Sequence, residues 1–253
     1  MGNIISTFKT GKKIQKDPYF SHAENLSRTE LAKRPTRTEI INFFLSQTLS
    51  ENYLEIGVRN PNHNFAHITC KQKTSVDPGL EFAANPVDYK MTSDAFFEAL
   101  SKNETEFDSS IRFDVIFIDG LHLAEQVEKD IQNSLKYIKD EGFVILHDCN
   151  PPTYFHQRED YNFRHSPAKA YWNGTTWKAF YKYRHVENLF SICFDNDWGV
   201  GVISKKEHPG FNNLNTPIAN SYFEFRELDK NRKAHLNLMD FKNWEKDFFK
   251  NTY

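Results

Sequence analysis

Hydrophobic and polar positions change period along the middle of the chain. Val115–Ile118 is a continuous apolar run, which is typical of a strand covered on both faces in a parallel sheet. Gly142 is expected to end the following helix, and Phe143–Leu146 is a second apolar run. Between the two runs, apolar residues recur at helical spacing: Val127, Ile131, Leu135 and Ile138. The pattern predicts a strand, a helix and a second strand over residues 113–148.

Similar patterns predict more elements on both sides of this stretch. Other strands are expected at these runs: Tyr53–Val58, Lys73–Asp77, Tyr89–Met91, Phe190–Asp195 and Trp198–Ile203, the last two forming a hairpin. Other helices are expected after the capping box Thr36–Glu39, after Thr92, over Thr175–Arg184 and twice within Tyr222–Phe249. Leu49 is assigned to the apolar side of the first of these helices.

This order of elements predicts an α/β fold with a Rossmann-like, doubly wound sheet. The sheet is expected to be mostly parallel and seven-stranded, with an antiparallel last strand. We expect a catalytic domain at 36–205, an N-terminal extension at 1–35 and a helical C-terminal extension at 206–253. The segment 151–185 has no clear period and is predicted to be a lid or acceptor-binding insertion.

Composition and charge narrow the functional classes. A formal net charge of −2 disfavours a nucleic-acid partner, since no net positive field would attract phosphates. Three widely spaced cysteines give neither a disulfide framework nor a CxxC metal pair, so a reducing, cytoplasmic location is expected. No apolar run has membrane-spanning length. The first residues, MGNIIS, fit the N-myristoylation pattern at Gly2, with nearby lysines as a second signal, but we expect no membrane partner.

Acidic residues follow or end four of the predicted strands: Glu55, Asp77, Asp119 and Asp148. The carboxyl ends of the strands are where ligands bind in an open α/β sheet. Asp77 lies 22 positions after Glu55, close to the spacing at which an acid meets a ribose diol. The Glu55 carboxylate can accept hydrogen bonds from a ligand ammonium or hydroxyl, and Gly57 allows the backbone to approach the ligand closely. The sequence thus predicts an enzyme that binds a nucleotide-like cofactor.

These segments resemble class I S-adenosylmethionine-dependent methyltransferases over roughly residues 36–205. Tyr53–Gly57 is similar to the family's first motif, Ser75–Asp77 to its second and Phe113–Gly120 to its fourth. Ile118-Asp-Gly-x-His122 followed by Leu146-His-Asp148 resembles a bacterial branch more specifically. That branch includes macrocin-type sugar O-methyltransferases and the cephalosporin-hydroxylase-like group. The resemblance implies O-methylation of a sugar or glycan hydroxyl.

The resemblance and the strand ends together nominate a set of cofactor-binding residues. For S-adenosylmethionine they are Glu55, Gly57, Arg59, Asp77, Ser93, Asp94, Asp119 and Gly120. Asp94 has a second interpretation, as a residue that caps the helix beginning at that point.

The remaining polar residues are assigned to the acceptor, which we expect to be a small molecule or a glycan. Asp119 and Asp148 could provide oxygen ligands for Mg²⁺ or another divalent cation, with Asn150 as a third ligand. His122 is predicted to be the general base that removes the hydroxyl proton. Alternatively, it caps the next helix or binds substrate without transferring a proton. The catalytic set is therefore His122, Asp119 and Asp148. His147 is expected to point away from Asp148, because side chains alternate along a strand.

Two other functional classes remain open. A nicotinamide-dependent oxidoreductase could use the same fold, but the GxGxxG loop that binds the pyrophosphate is absent after the first strand. In a non-catalytic cofactor-binding protein the acids would be structural. Self-association into a homo-oligomer is compatible with either.

Overall fold

A seven-stranded sheet forms the centre of the computed structural model, which describes residues 2–218 and 220–252. The strands are β1 (Asn52–Ile56), β2 (Gln72–Val76), β3 (Phe113–Ile118), β4 (Ile138–Leu146), β5 (Phe190–Phe194), β6 (Val200–Ser204) and β7 (Leu238–Met239). Their spatial order is β2-β1-β3-β4-β6-β5-β7. Strand β6 pairs antiparallel with β4 and β5, and the other neighbouring pairs are parallel. The predicted fold class is confirmed.

Helices cover both faces of this sheet. They are α1 (Gly2–Lys16), α2 (Pro18–Ala32), α3 (Arg37–Ser46), α4 (Ser93–Ser101), α5 (Ala124–Tyr137), α6 (Thr176–Tyr183), α7 (Phe225–Leu236) and α8 (Phe241–Thr252). Apolar side chains of α4, α5 and α6 form a core with Ile116 and Ile118 of β3, whereas those of α3 and α8 pack with Val115 and Phe117. The alternation along β3 explains why its apolar run is continuous, since each face meets its own helix layer.

The seventh strand differs from the one that the sequence predicted. Tyr89 makes only an isolated bridge to Val76, so Tyr89–Met91 is not a strand. The C-terminal extension instead contributes β7, which lies between its two helices and pairs parallel with β5. The antiparallel strand is therefore β6 of the predicted hairpin, and the last strand along the chain is parallel.

Two local boundaries also differ from the predictions. The helix α5 ends at Tyr137, and Ile138 already belongs to β4. Gly142 is not a helix stop: it lies within β4, where an added Cβ would come within 2.7 Å of the carbonyl oxygen of Asp114. Leu49 lies beyond the end of α3 and is 78% exposed.

The register of the parallel strands aligns their carboxyl ends. Ile118 of β3 pairs with Ile56 of β1 on one side and with Leu146 of β4 on the other. The residues that follow these three strands therefore meet at one edge of the sheet. Within the described ranges, no helix is long and apolar enough to cross a membrane.

Candidate active site

Three residues that the sequence nominated for catalysis converge at this edge. Asp119 directly follows β3, and Asp148 follows β4 after one intervening residue. The His122 ring lies between them, with Nε2 3.3 Å from Oδ1 of Asp119 and Nδ1 3.2 Å from Oδ2 of Asp148. All three side chains are at least four-fifths buried. The predicted catalytic set therefore forms one compact cluster.

The loop before α6 holds this cluster in position. The indole of Trp172 stacks on the His122 ring, with centroids 4.9 Å apart and planes 16° apart. Asn173 donates a hydrogen bond from Nδ2 to Oδ1 of Asp148 at 2.8 Å. Gly174 adopts a φ of +58°, and an added Cβ would overlap the carbonyl oxygen of His122. This close approach requires glycine, so the loop and the His122 turn are packed backbone to backbone.

His147 belongs to the same cluster, which corrects the prediction that it points away from Asp148. Its Nδ1 lies 3.1 Å from carboxylate oxygens of both Asp119 and Asp148. The alternation of a strand no longer applies there, because β4 ends at Leu146 and Asp148 adopts a left-handed φ of +59°.

Two further charged residues, which no sequence pattern had singled out, belong to the cluster. Asp197, in the turn between β5 and β6, lies 3.3 Å from Nε2 of His147 through Oδ1. Its Oδ2 accepts the backbone N–H of Arg37 at 2.7 Å. The Arg37 guanidinium lies 3.7 Å from Oδ2 of Asp119. The only sequence signal near Arg37 was the adjacent capping box, where the Glu39 carboxylate accepts the N–H of Thr36.

The charges of this cluster shift the protonation of its members. Burial opposes ionisation of His147, but Asp148 and Asp119 outweigh it and raise its pKa well above the ordinary value. The pKa of His122 is also raised, because the same two carboxylates overcome burial. Burial would raise the pKa of Asp119, yet the two histidines and Arg37 hold it well below its usual range. Three acidic side chains thus face one guanidinium and two imidazoles whose protonated forms they favour.

The cluster fits a divalent cation by the chemistry of its donors. One ligand atom each from Asp119, His122 and Asp148 lies within 4.8 Å of the others. Two carboxylates and an imidazole are ligands for a first-row divalent cation, and the imidazole favours ions softer than Mg²⁺. Binding would require His122 to give up its proton, because a metal ligand uses the neutral ring. The Oδ1 atom of Asn173 is buried and has no hydrogen-bond partner among the described residues.

Asn150 does not join this set, contrary to the prediction of a third oxygen ligand. Its Oδ1 accepts a hydrogen bond from Arg232 at 2.7 Å, and its Nδ2 donates to Asp195 at 3.1 Å. The residue before it, Cys149, is fully buried in the apolar core. The chain turns away from the cluster after Asp148, so sequence adjacency was misleading.

On the cofactor side, Glu55 is buried at the end of β1. Its Oε2 accepts hydrogen bonds from the hydroxyl of Tyr53 at 2.7 Å and from Nδ2 of Asn64 at 2.9 Å. Burial raises the pKa of Glu55 to about 7. The carboxyl is therefore held rigidly, and a cationic ligand group would favour its ionised form.

Asp77 organises the loops that follow β1 and β2. Its Oδ2 accepts the backbone N–H of Arg59 at 2.8 Å, and its Oδ1 accepts from the N–H of Gly79 and from Nδ2 of Asn85. The Arg59 side chain is more than half exposed and pairs with Glu81. A carboxylate has about four acceptor positions, so Asp77 retains capacity for a further donor such as a hydroxyl.

The predicted glycines and the start of α4 have different surroundings. Gly57 has a φ of +87°, and an added Cβ would lie 2.3 Å from Cα of Gly120, so β1 and β3 approach each other closely at their ends. Ser93 and Asp94 lie in the first turn of α4, which Thr92 caps. Both accept hydrogen bonds from Gln126 of α5, so the contacts present tie two helices together.

A cavity of about 230 Å³ opens beside the cluster. Arg37 and Asp197 border it together with Thr38 and His63, and the end of α2 lines its other side. Because the Arg37 guanidinium also contacts Asp119, this residue connects the cavity to the cluster.

The loop 151–185 contains aromatic and basic residues that the sequence assigned to the acceptor. Arg158 instead donates to backbone carbonyls of Phe155, Lys169 and Tyr171, so it holds the loop in its shape. The rings that remain available on this side include Tyr154, which is 64% exposed.

Comparisons with known proteins place this site in context. Residues 43–149, less than half of the chain, match the family model described as a methyltransferase domain. No curated protein sequence matches the chain.

Solved structures of methyltransferases are similar to the chain at low identity. For the O-methyltransferase from Bacillus cereus in complex with SAH, identity is 12% and the TM-score 0.40, with 74% of this chain and 91% of that chain covered. For the SAH-bound methyltransferase PaMTH1 of Podospora anserina, identity is 13% and the TM-score 0.45, with 80% of this chain and 96% of that chain covered. For the MycE methyltransferase of the mycinamycin pathway, in complex with Mg, SAH and mycinamycin VI, identity is 10% and the TM-score 0.40, with 73% of this chain and 50% of that chain covered. The match of 43–149 to a methyltransferase domain confirms the predicted enzyme class, and it includes the strand ends from Glu55 to Asp148 on which that prediction depended.

Proposed function

We propose that this protein is an S-adenosylmethionine-dependent O-methyltransferase that methylates a hydroxyl of a sugar or glycan. The observation that carries the proposal is the convergence of Asp119, His122 and Asp148 at the carboxyl ends of two strands within the methyltransferase-domain match. We further propose 36–205 as the catalytic domain. Its free cysteines fit a reducing, cytoplasmic compartment.

The donor is assigned to the ends of β1 and β2. Asp77 has the acceptor capacity to bind the ribose hydroxyls, and Glu55 can pair with the ammonium of the methionine part. Gly57 allows the backbone of the first loop to approach the ligand. Arg59, Ser93, Asp94 and Gly120 remain candidates for the adenosine part.

The acceptor is assigned to the cluster at the ends of β3 and β4. Asp119, Asp148 and His122 would hold a divalent cation, which when bound lowers the pKa of the acceptor hydroxyl and orients it. The chain itself fixes this geometry through Trp172 and Asn173. Both ring nitrogens of His122 face acidic side chains, an arrangement that favours the protonated ring in the ion-free protein, and His122 would become a neutral ligand in the loaded one.

If turnover persists in the presence of EDTA, the role of His122 is instead that of the general base. The two roles give different results in one experiment, because a base is needed whether or not an ion is present. A sugar acceptor is supported by the aromatic rings of the adjacent loop, since ring faces suit the apolar faces of sugars.

Titration calorimetry with S-adenosylmethionine and with NAD tests the donor. We expect binding of the first and none of the second, and the opposite result would contradict the proposal. Methyl transfer from radiolabelled donor to a panel of sugars and nucleotide sugars then tests the acceptor. Asp119→Asn should abolish transfer, and Asp140→Asn, a matched change at a carboxylate that is 82% exposed, should leave it intact.

A further inference from the structure

The first helix exposes large apolar side chains that none of the other described residues covers. Every residue of α1 whose side chain is described is exposed. Ile4 is 76% exposed and Phe8 63%, and they lie one turn apart on the same side of the helix, with Ile5 beside them. A Cβ added to Gly2 or Gly11 would meet no atom within 4 Å. An apolar strip of this kind costs free energy in water and marks an interaction surface.

The charge of α1 is segregated from that of the rest of the protein. Its only charged side chains are four lysines: Lys9, Lys12, Lys13 and Lys16. None of them forms an ion pair within residues 2–218 and 220–252, and the Lys12 ammonium lies over the Phe8 ring. The whole chain nevertheless has a net charge of −2, so the positive charge of α1 is not apparent from the composition of the whole chain. The lysines recur at three- and four-residue intervals and form a basic side next to the apolar one.

We propose that α1 docks the protein on an anionic lipid bilayer, lying in the plane of the interface. The basic side complements anionic headgroups while Ile4, Ile5 and Phe8 enter the boundary with the acyl chains, as in other interfacial amphipathic helices. Lysine stems can follow the apolar surface and keep their ammonium groups at the headgroup level. A 15-residue helix is marginally stable alone in water, so the bilayer would also stabilise α1.

The contacts of α2 show what such docking would bring to the membrane. Asp17 separates α1 from α2 and caps α2 through its carboxylate. From α2, Glu24 pairs with Lys169 and Ser27 contacts His156, both in the loop that carries Trp172. The helix is thus joined to the side of the molecule on which the acceptor loop lies. The proposal does not depend on the methyl donor or on activity.

Cosedimentation of the full chain with lipid vesicles tests the proposal. We expect binding to phosphatidylcholine vesicles that contain about 30% phosphatidylserine, weaker binding at high salt, and little binding to pure phosphatidylcholine. Lys12→Glu/Lys13→Glu and Ile5→Ser/Phe8→Ser should each reduce the fraction bound by about tenfold or more. These positions are exposed, so folding should be retained, and thermal unfolding checks it.

The matched control is Lys230→Glu/Lys233→Glu, which makes the same charge change at exposed positions of α7. It should bind within about twofold of the original chain, because only α1 contacts lipid. An equal loss in both lysine pairs would mean that net charge alone is sensed and would overturn the proposal. So would an absence of binding to anionic vesicles, or self-association that Ile5→Ser/Phe8→Ser abolishes, which would identify a second copy of the chain as the occupant.

Discussion

The buried imidazole of His156 joins α2 to the acceptor loop, and its titration tests that contact. Its Nε2 lies 3.0 Å from Oγ of Ser27, and its Nδ1 lies 2.8 Å from Oγ1 of Thr153. The Ser27 hydroxyl donates to the carbonyl of Ala23, so it must accept from Nε2–H. Nδ1 is then the acceptor for the Thr153 hydroxyl. This neutral tautomer satisfies every partner, and protonation of Nδ1 would remove the Thr153 hydrogen bond.

The magnitude follows from the pKa. Burial, with smaller contributions from the positive charges of Arg158 and Arg232, lowers the pKa of His156 from 6.5 to about 4. The unfolded chain therefore binds a proton that the folded chain does not bind between these values. The stability from neutral His156 is fully present above pH 6.5 and is lost as pH falls towards 4. Integrated over this window, the loss amounts to about 3 kcal/mol.

Urea unfolding at several pH values between 4.5 and 7.5 measures this loss. His156→Gln retains an amide donor and acceptor but does not titrate, so the difference in unfolding free energy between the original chain and the variant should shrink by about 3 kcal/mol as pH falls. Because other groups titrate in both chains, their effects cancel in the difference. A difference that is constant with pH would refute the assignment of a buried neutral imidazole.

Three further predictions concern the two halves of the site. Burial raises the pKa of Glu55 to about 7, so its protonated carboxyl stabilises the fold fully below pH 4.5, and this stability is lost as pH rises through 7. The unfolding free energy of Glu55→Gln should therefore rise by about 3 kcal/mol relative to that of the original chain between pH 5 and pH 8. Parallel pH profiles of the two chains would contradict this. Gly57→Ala should lower the free energy of unfolding in urea by at least about 2 kcal/mol, because the added Cβ overlaps Gly120 and the backbone has a positive φ. In the control Gly120→Ala the Cβ would meet Ile56 at 3.6 Å, so the change should stay within about 1 kcal/mol. Equal losses would show that the close approach of Gly57 to Gly120 is absent. EDTA should abolish methyl transfer, and added Mn²⁺ or Mg²⁺ should restore it. Asp148→Asn should raise the ion concentration that restores activity about tenfold or more. Unchanged turnover under chelation would exclude the metal role of Asp148.

Elements with a strong period were predictable because burial imposes that period locally. The continuous apolar runs of β3 and β4 and the helical spacing of α5 reflect a sheet covered on both sides. Acids placed within two residues of the ends of neighbouring parallel strands lie at one edge of the sheet, so Asp119 and Asp148 could be paired from the sequence. The third predicted strand was wrong because the pairing of Tyr89–Met91 with β2 is limited to one bridge between Tyr89 and Val76. Strand β7 was missed because two residues carry no period.

Apart from Asp119, His122 and Asp148, the members of the cluster could not be predicted from the sequence. Arg37 and Asp197 lie 160 positions apart and meet only because the β5–β6 turn returns to the start of α3. His147 faces Asp148 because Asp148 adopts a left-handed backbone conformation, which the strand pattern does not predict. Asn150 was wrongly included among the metal ligands, because its side-chain oxygen accepts a hydrogen bond from Arg232 of α7.

The sequence by itself determined the layers of this protein and the strand ends at which chemistry is possible. These are properties of neighbouring residues, and local spacing is enough to express them. Only the tertiary structure decided which distant charges surround Asp119, which candidate ligands actually meet, and that the first helix remains uncovered. Those outcomes depend on strand register, on a few turns with unusual backbone angles and on packing between segments far apart in the chain, and such contacts leave no periodic trace in the sequence.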